Sequence, residues 1–190
     1  MQRFCVFCGS NDGSQPIYVE AARQLGTALA ERGVGLVYGG GQVGLMGAVA
    51  HAALDAGGEV IGVMTEDLMR KEIGFRELPQ LHVVETMHER KMKMAELADA
   101  FIVMPGGFGT MEEFFEMAAH GLLGYHDKAL SFLNTGGYYD TLFAFFKHIA
   151  DEQFIAASFI DLLIVDDSPT RLVERLINYQ PPHFDRWEGQ

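Results

Sequence analysis

The sequence predicts an α/β fold, a single Rossmann-like, doubly wound parallel sheet of about seven strands with helices on both faces. Three observations predict it. Short apolar runs alternate with segments of helical period along the chain. The runs are almost wholly apolar, as strands covered on both faces are. Glycine clusters follow the first, second and fifth runs directly, at the carboxyl edge where such sheets bind ligands. A chain of 190 residues is long enough for one sizeable core, so one domain is expected over residues 1–180, with a flexible tail at 181–190.

Taken in order, Phe4 to Phe7 is the first strand and ends in Gly9-Ser10. Pro16 opens a helix on which Ile17, Ala21, Ala22, Leu25, Ala28 and Leu29 recur at helical spacing, and Arg32-Gly33 stops it. Gly35 to Tyr38 is the second strand, running into Gly39-Gly40-Gly41-Gln42-Val43-Gly44 and an Ala-rich helix. Gly39, Gly41 and Gly44 reproduce G-x-G-x-x-G, a pattern of dinucleotide sites. The acidic residue such a site needs about 20 positions on falls to Glu59 or Glu66, neither well placed for a ribose. Glu59 to Met64 is the third strand. Residues 65–79 show no clear period and read as a lid or a loop with a short helix, in which Lys71-Glu72 and Arg76-Glu77 look like surface pairs.

Leu81 to Glu85 is the fourth strand, and Met87 to Ala98 a helix whose methionines and Leu97 fall at core spacings. Arg90, Lys91 and Lys93 lie in its first turns, where the helix macrodipole disfavours cations by about 0.3 to 1 kcal/mol each, so an anionic partner is expected there. Ala100 to Val103 is the fifth strand. Ala129 to Leu133 is the sixth, Tyr138 to Ala150 an aromatic-rich helix, Leu162 to Val165 the seventh strand, and Pro169 to Tyr179 a last helix capped by Ser168.

Between the fifth strand and its helix stands Pro105-Gly106-Gly107-Phe108-Gly109-Thr110-Met111-Glu112-Glu113. Three glycines in four positions allow positive φ and close approach, so that successive N–H groups converge on an anion at the helix start. Thr110 to Glu113 also fits a capping box, which gives Glu113 a structural reading beside the functional one. In the helix from Thr110 to Leu122, Met111, Phe114, Phe115, Ala118 and Leu122 make the apolar stripe, leaving Glu113, Glu116 and His120 on another face.

Net charge is -12 and no run of Lys or Arg occurs, which argues against a nucleic-acid partner. No apolar run of membrane-spanning length and no leader-like start is present, so a cytoplasmic protein with no membrane partner is expected. Cys5 and Cys8, three apart on a strand, should face opposite sides of the sheet as core residues. With the histidines scattered, no metal site is expected.

Two motifs in order carry a resemblance. Pro105 to Glu113 matches PGGxGTxxE, and Met87-His88-Glu89-Arg90-Lys91 matches M-x-x-R-K. Together they resemble the Lonely Guy (LOG) family of cytokinin riboside 5'-monophosphate phosphoribohydrolases, often mislabelled lysine decarboxylases. The likeness runs from Cys8-Gly9-Ser10 through Tyr38-Gly39-Gly40-Gly41 to Gly137-Tyr138-Tyr139-Asp140. It implies a Rossmann-like homodimer that cleaves the N-glycosidic bond of a purine nucleoside 5'-monophosphate, needing no metal or organic cofactor. It also implies Arg90 and Glu113 as the catalytic pair, Gly107, Phe108, Gly109 and Thr110 as the phosphate loop, and Glu72 and Lys91 as further substrate contacts. Ser10, Gly40, Met87, Gly106 and Glu116 complete the expected substrate-binding set. The chain departs from the family pattern at Ala119-His120-Gly121-Leu122, where a substrate contact is replaced, and at Lys128-Ala129 in place of Lys-Pro.

The chemistry asks for these types. Breaking a ribosyl C–N bond builds oxocarbenium character on the sugar. A carboxylate there acts electrostatically, as a base towards water, or covalently, and an arginine beside it keeps it ionised. A non-catalytic nucleotide-binding or carrier protein would use the same phosphate seat without needing Arg90 opposite Glu113. A pyridoxal-phosphate decarboxylase would need a lysine in a marked setting, and the sequence singles out none.

Overall fold

The computed structural model describes residues 1–71 and 74–181. Its strands are β1 (Arg3–Phe7), β2 (Gly35–Tyr38), β3 (Val60–Thr65), β4 (Gln80–Val84), β5 (Ala100–Val103), β6 (Ala129–Leu133) and β7 (Ile164–Asp166). Its helices are α1 (Pro16–Glu31), α2 (Gly44–Asp55), α3 (Glu66–Arg70), α4 (Met87–Leu97), α5 (Phe108–Leu122), α6 (Asp140–Asp151), α7 (Ala157–Asp161) and α8 (Pro169–Ile177). All strand pairs are parallel, in the order β4-β3-β2-β1-β5-β6-β7. The winding reverses between β1 and β5, which makes the crevice beyond their carboxyl ends the expected ligand position.

Side chains alternate across the central strands. Phe4, Val6 and Cys8 join α1, α2 and α8 in one core layer, while Cys5 and Phe7 join α4, α5 and α6 in the other. The two cysteines therefore sit on opposite faces as core residues, both as free thiols. In the first layer α1 and α2 press together at Gly26, where a Cβ would lie 2.3 Å from the Val49 carbonyl oxygen. Among the described residues no helix is long and apolar enough to cross a membrane, and no group of three or more His, Cys, Asp or Glu is placed to hold a metal.

Several elements differ from the sequence reading. A short helix, α7, precedes β7, with Leu162 as its C-cap, and the Leu163 N–H closes the turn that follows on the Ile160 carbonyl at 3.0 Å, so the strand starts only at Ile164. A 3-10 turn at Thr135–Gly137 stands before α6, leaving Tyr138 and Tyr139 in the connection rather than in the helix. The aperiodic stretch after β3 does contain a short helix, α3, and then packs Phe75 and Leu78 into the core. On α4 only Met94 of the methionines is buried; Met87 and Met92 are exposed.

The start of α5 is the largest correction. Gly107 is its N-cap and Phe108 its first residue, so Thr110 and Glu113 lie inside the helix and form no capping box. The box is one helix earlier. Thr86 Oγ1 accepts from the Glu89 N–H at 3.1 Å and Glu89 accepts from the Thr86 N–H at 3.3 Å, capping α4. Gly106, Gly107 and Gly109 all keep negative or extended φ, so their role is close approach and not left-handed backbone. The buried stripe of α5 is Thr110, Glu113, Phe114 and Met117, with Phe115 exposed; Glu113 is on the inward face and not with the solvated acids.

Candidate active site

Arg90, the fourth residue of α4, is the cation that the fold turns inward. It is 6% exposed, and its guanidinium is gripped from three elements. Nε donates to the Val63 carbonyl at 3.0 Å, Nη2 to the Gly39 carbonyl at 3.2 Å, and Nη1 to Glu113 Oε1 at 3.0 Å. The ends of β2 and β3 thus hold an arginine from α4 against a carboxylate from α5. Gly39 has to be glycine for this, because a Cβ there would lie 2.1 Å from Arg90 Nη2.

Glu113 is 8% exposed. Burial pushes its carboxyl above the ordinary value of 4.5, against the pull of the neighbouring Arg90 charge. One helical turn on, Lys91 Nζ reaches Glu112 and lies 3.0 Å from Glu116. Burial works against the Lys91 charge, but its hydrogen bonds to Glu112 and Glu116 win and hold its pKa above the ordinary lysine value. Lys93 pairs with Glu96 at 3.1 Å. The anionic partner expected for the α4 cations is therefore supplied by the chain's own carboxylates.

The glycine turns after β1, β2 and β5 meet at one edge. The Gly9 N–H donates to the Pro105 carbonyl at 3.0 Å, and the Leu45 N–H to the Gly9 carbonyl at 3.1 Å. Gly44, at φ 62°, abuts Ser10, where a Cβ would come within 2.3 Å of the Ser10 backbone. Gly40, at φ 74°, offers its carbonyl to the Phe75 N–H at 2.8 Å. Around the start of α5 the walls open. A Cβ at Gly107 or Gly109 would meet nothing within 4 Å, while one at Gly106 would strike Thr110 Oγ1 at 2.1 Å. Gly107 provides no side-chain cap, so the first N–H groups of a 15-residue helix face this space without one.

The structure thus brings together Ser10, Gly40, Arg90, Gly106, Gly107, Gly109 and Glu113 at the carboxyl edge. Thr110 is buried behind the loop, whereas Met87 and Phe108, at 46% and 96% exposure, stand at the starts of α4 and α5. Lys91 and Glu116 are bound to each other. Glu72 lies outside the described residues. Glu59 is at the other end of the sheet, its carboxylate gripped by Arg3 at 2.7 and 3.0 Å, which removes it as a ribose ligand. Sequence reasoning missed the carbonyls of Gly39 and Val63, since backbone acceptors leave no mark in residue identity. It also missed Tyr138 and Tyr139, whose hydroxyls donate to the carbonyls of Gly106 at 2.7 Å and Met104 at 2.6 Å; an adjacent aromatic pair after a strand was the available signal.

One lysine does have a marked setting. Lys128 donates to the Ala95 carbonyl at 2.6 Å, and burial lowers its pKa. It precedes β6, at the amino edge of the sheet, away from the glycine turns. It borders an apolar cavity of about 340 Å³ between α5, α6 and α7, lined by Ala119, Phe146 and Ile149 among others.

The profile described as "Possible lysine decarboxylase" matches residues 46–176. A rice (Oryza sativa subsp. japonica) protein named "Probable cytokinin riboside 5'-monophosphate phosphoribohydrolase LOGL1" is 46% identical over 181 residues, covering 95% of this chain and 81% of its own. The chain belongs to the LOG family. A second member, the Arabidopsis thaliana "Cytokinin riboside 5'-monophosphate phosphoribohydrolase LOG1", is 42% identical over 182 residues, 96% of this chain and 85% of its own. The LOG fold extends to more distant structures. The molybdenum cofactor binding protein of Rippkaea orientalis superposes with a TM-score of 0.68 at 22% identity, over 91% of this chain and 93% of its own; at that identity the likeness is one of fold.

Proposed function

We propose that the protein is a hydrolase that cleaves the N-glycosidic bond of a purine riboside 5'-monophosphate, adenosine or cytokinin, to free base and ribose 5-phosphate. The observation that carries this reading is the buried Arg90–Glu113 pair set beside an uncapped glycine-rich helix start at the point where the sheet reverses. The names of the 42–46% identical relatives supply the same reaction class.

The roles follow from charge. The N–H groups at the start of α5, around Gly107, Phe108 and Gly109, hold the 5'-phosphate, and that binding energy positions the sugar. Glu113, whose ionised form Arg90 favours against the cost of burial, faces the oxocarbenium charge that develops as the C1'–N bond breaks and its electrons leave with the base. Water adds its oxygen to C1', and the proton it gives up balances the one that the departing base nitrogen takes, so the products are ribose 5-phosphate and neutral free base. Three of the five Arg90 N–H donors are engaged by protein, which leaves two for substrate oxygens. Ser10, Gly40, Glu72, Met87, Lys91 and Glu116 complete the site, and the working form is a cytoplasmic homodimer.

The test is incubation with AMP and with isopentenyladenosine monophosphate, following free base by chromatography. Release of base that Glu113→Gln and Arg90→Ala abolish, in folded protein, supports the reading. Tight AMP binding with no base from a nucleotide panel would mark a carrier. Sedimentation analysis tests the dimer, and a monomer at assay concentration removes it.

A further inference from the structure

Three consecutive carbonyls lead into α5, and each is tied to a donor. The Met104 carbonyl accepts from Tyr139 Oη at 2.6 Å, the Pro105 carbonyl from the Gly9 N–H at 3.0 Å, and the Gly106 carbonyl from Tyr138 Oη at 2.7 Å. A loop that receives an anion has to turn its carbonyl oxygens away from it, because their lone pairs repel negative charge as its N–H groups attract it. In a trans peptide the C=O and the following N–H point in opposite directions, and none of the described peptide bonds is cis. Holding the Gly106 carbonyl on Tyr138 therefore turns the Gly107 N–H the other way.

We infer that Tyr138 is a positioning residue of the phosphate seat: its hydroxyl fixes the Gly106–Gly107 peptide so that the Gly107 N–H, and not the Gly106 carbonyl, faces the substrate phosphate. The inference rests on the proposed reaction and adds a residue to it. The two tyrosines divide the work. Tyr139 is 3% exposed and packs on Phe132 at 4.8 Å between ring centres, so it also belongs to the core. Tyr138 is 42% exposed, and its ring touches Tyr18 and Tyr139 edge-on. Loss of its hydroxyl removes one hydrogen bond and leaves the ring in place.

The experiment compares wild type with Tyr138→Phe by calorimetric titration of two products, ribose 5-phosphate and adenine, and by steady-state kinetics on AMP. Ribose 5-phosphate affinity is expected to fall by about 2- to 13-fold, the loss that one net hydrogen bond of about 0.5–1.5 kcal/mol implies. Adenine affinity should stay within twofold, and KM for AMP should rise by the same factor as the ribose 5-phosphate constant with kcat little changed. A parallel loss of adenine affinity would assign Tyr138 to general packing and overturn the inference. So would a variant that binds ribose 5-phosphate as wild type does. Wild-type protein that releases no base from AMP or any other nucleotide overturns the proposed reaction itself, and this inference with it.

Discussion

Gly39→Ala is the sharpest perturbation of the proposed catalytic pair, because it adds one methyl group and replaces neither charged residue. The new Cβ would stand 2.1 Å from Arg90 Nη2 and 3.3 Å from Cζ, whereas ordinary contact begins near 3.4 Å. Gly39 does not sit at positive φ, so alanine meets no backbone strain there. The Met46 sulfur, 3.1 Å from the same point, belongs to a flexible side chain that can shift. The guanidinium has to retreat by about 1.3 Å, enough to break its 3.2 Å bond to the Gly39 carbonyl and to tilt it off Glu113. A misplacement of about 1 Å at a reacting centre costs on the order of 100-fold. The kcat/KM for AMP should therefore fall at least that far in protein that still melts cooperatively. The decisive control is Arg90→Lys, which has no atom at the Nη2 position. In that background Gly39→Ala should cost less than threefold, since its effect travels through the guanidinium. An active Gly39→Ala enzyme, or penalties that multiply in the double variant, would refute this reasoning.

Other outcomes follow from the charges. If turnover needs ionised Glu113, the acid limb of the kcat/KM profile lies above the ordinary carboxylate value of 4.5, activity being lost as pH falls through the raised pKa. Folding shows the opposite sign: native Glu113 holds its proton more tightly than the unfolded chain does. Its contribution to stability is fully present below 4.5 and is lost as pH rises through the folded pKa. The urea midpoint of wild type relative to Glu113→Gln should decline with rising pH across that window, and a flat difference would contradict the assigned shift. Lys91→Met frees Glu112 and Glu116 from their cation. It should lower stability by about 1 kcal/mol in thermal melts and move the acid limb further up, since the Lys91 charge helps to lower the Glu113 pKa. An unmoved limb would show that Lys91 acts only between the helices.

The sheet was legible because its signals are local. Phe4 to Phe7 and Ala100 to Val103 are apolar on both faces, and the glycines that follow them mark the carboxyl edge. The inward turn of α5 was not legible for a related reason. Periodicity assigns a buried stripe by hydrophobicity, and here Thr110 and Glu113 occupy the buried positions of an i, i+3, i+4, i+7 pattern that ends in Phe114 and Met117. A buried carboxylate on the core side breaks the pattern by which the core is found. The capping box failed similarly: Thr110-x-x-Glu113 and Thr86-x-x-Glu89 are equivalent as strings, and only the length of the glycine turn, which starts α5 at Phe108, decides between them.

Whether the buried pair belongs to the fold or to the chemistry can be divided between its members. Arg90 ties β2, β3 and α5 together, so Arg90→Met removes the donors of two buried carbonyls and leaves a buried carboxylate without its cation. The carbonyls alone would cost about 1–3 kcal/mol each, and an uncompensated buried charge costs a further 3–5 kcal/mol or so. Glu113→Gln keeps an oxygen to accept from Arg90 Nη1 and leaves the Val63 and Gly39 bonds intact. The melting temperature should therefore fall far more for Arg90→Met than for Glu113→Gln, although both are expected to be inactive. Equal destabilisation would mean that Glu113 also serves the fold. A Glu113→Gln protein that melts near wild type and turns over nothing would place the carboxylate's value in the reaction, since a buried ionised group that adds little to stability is retained for what it does to substrate.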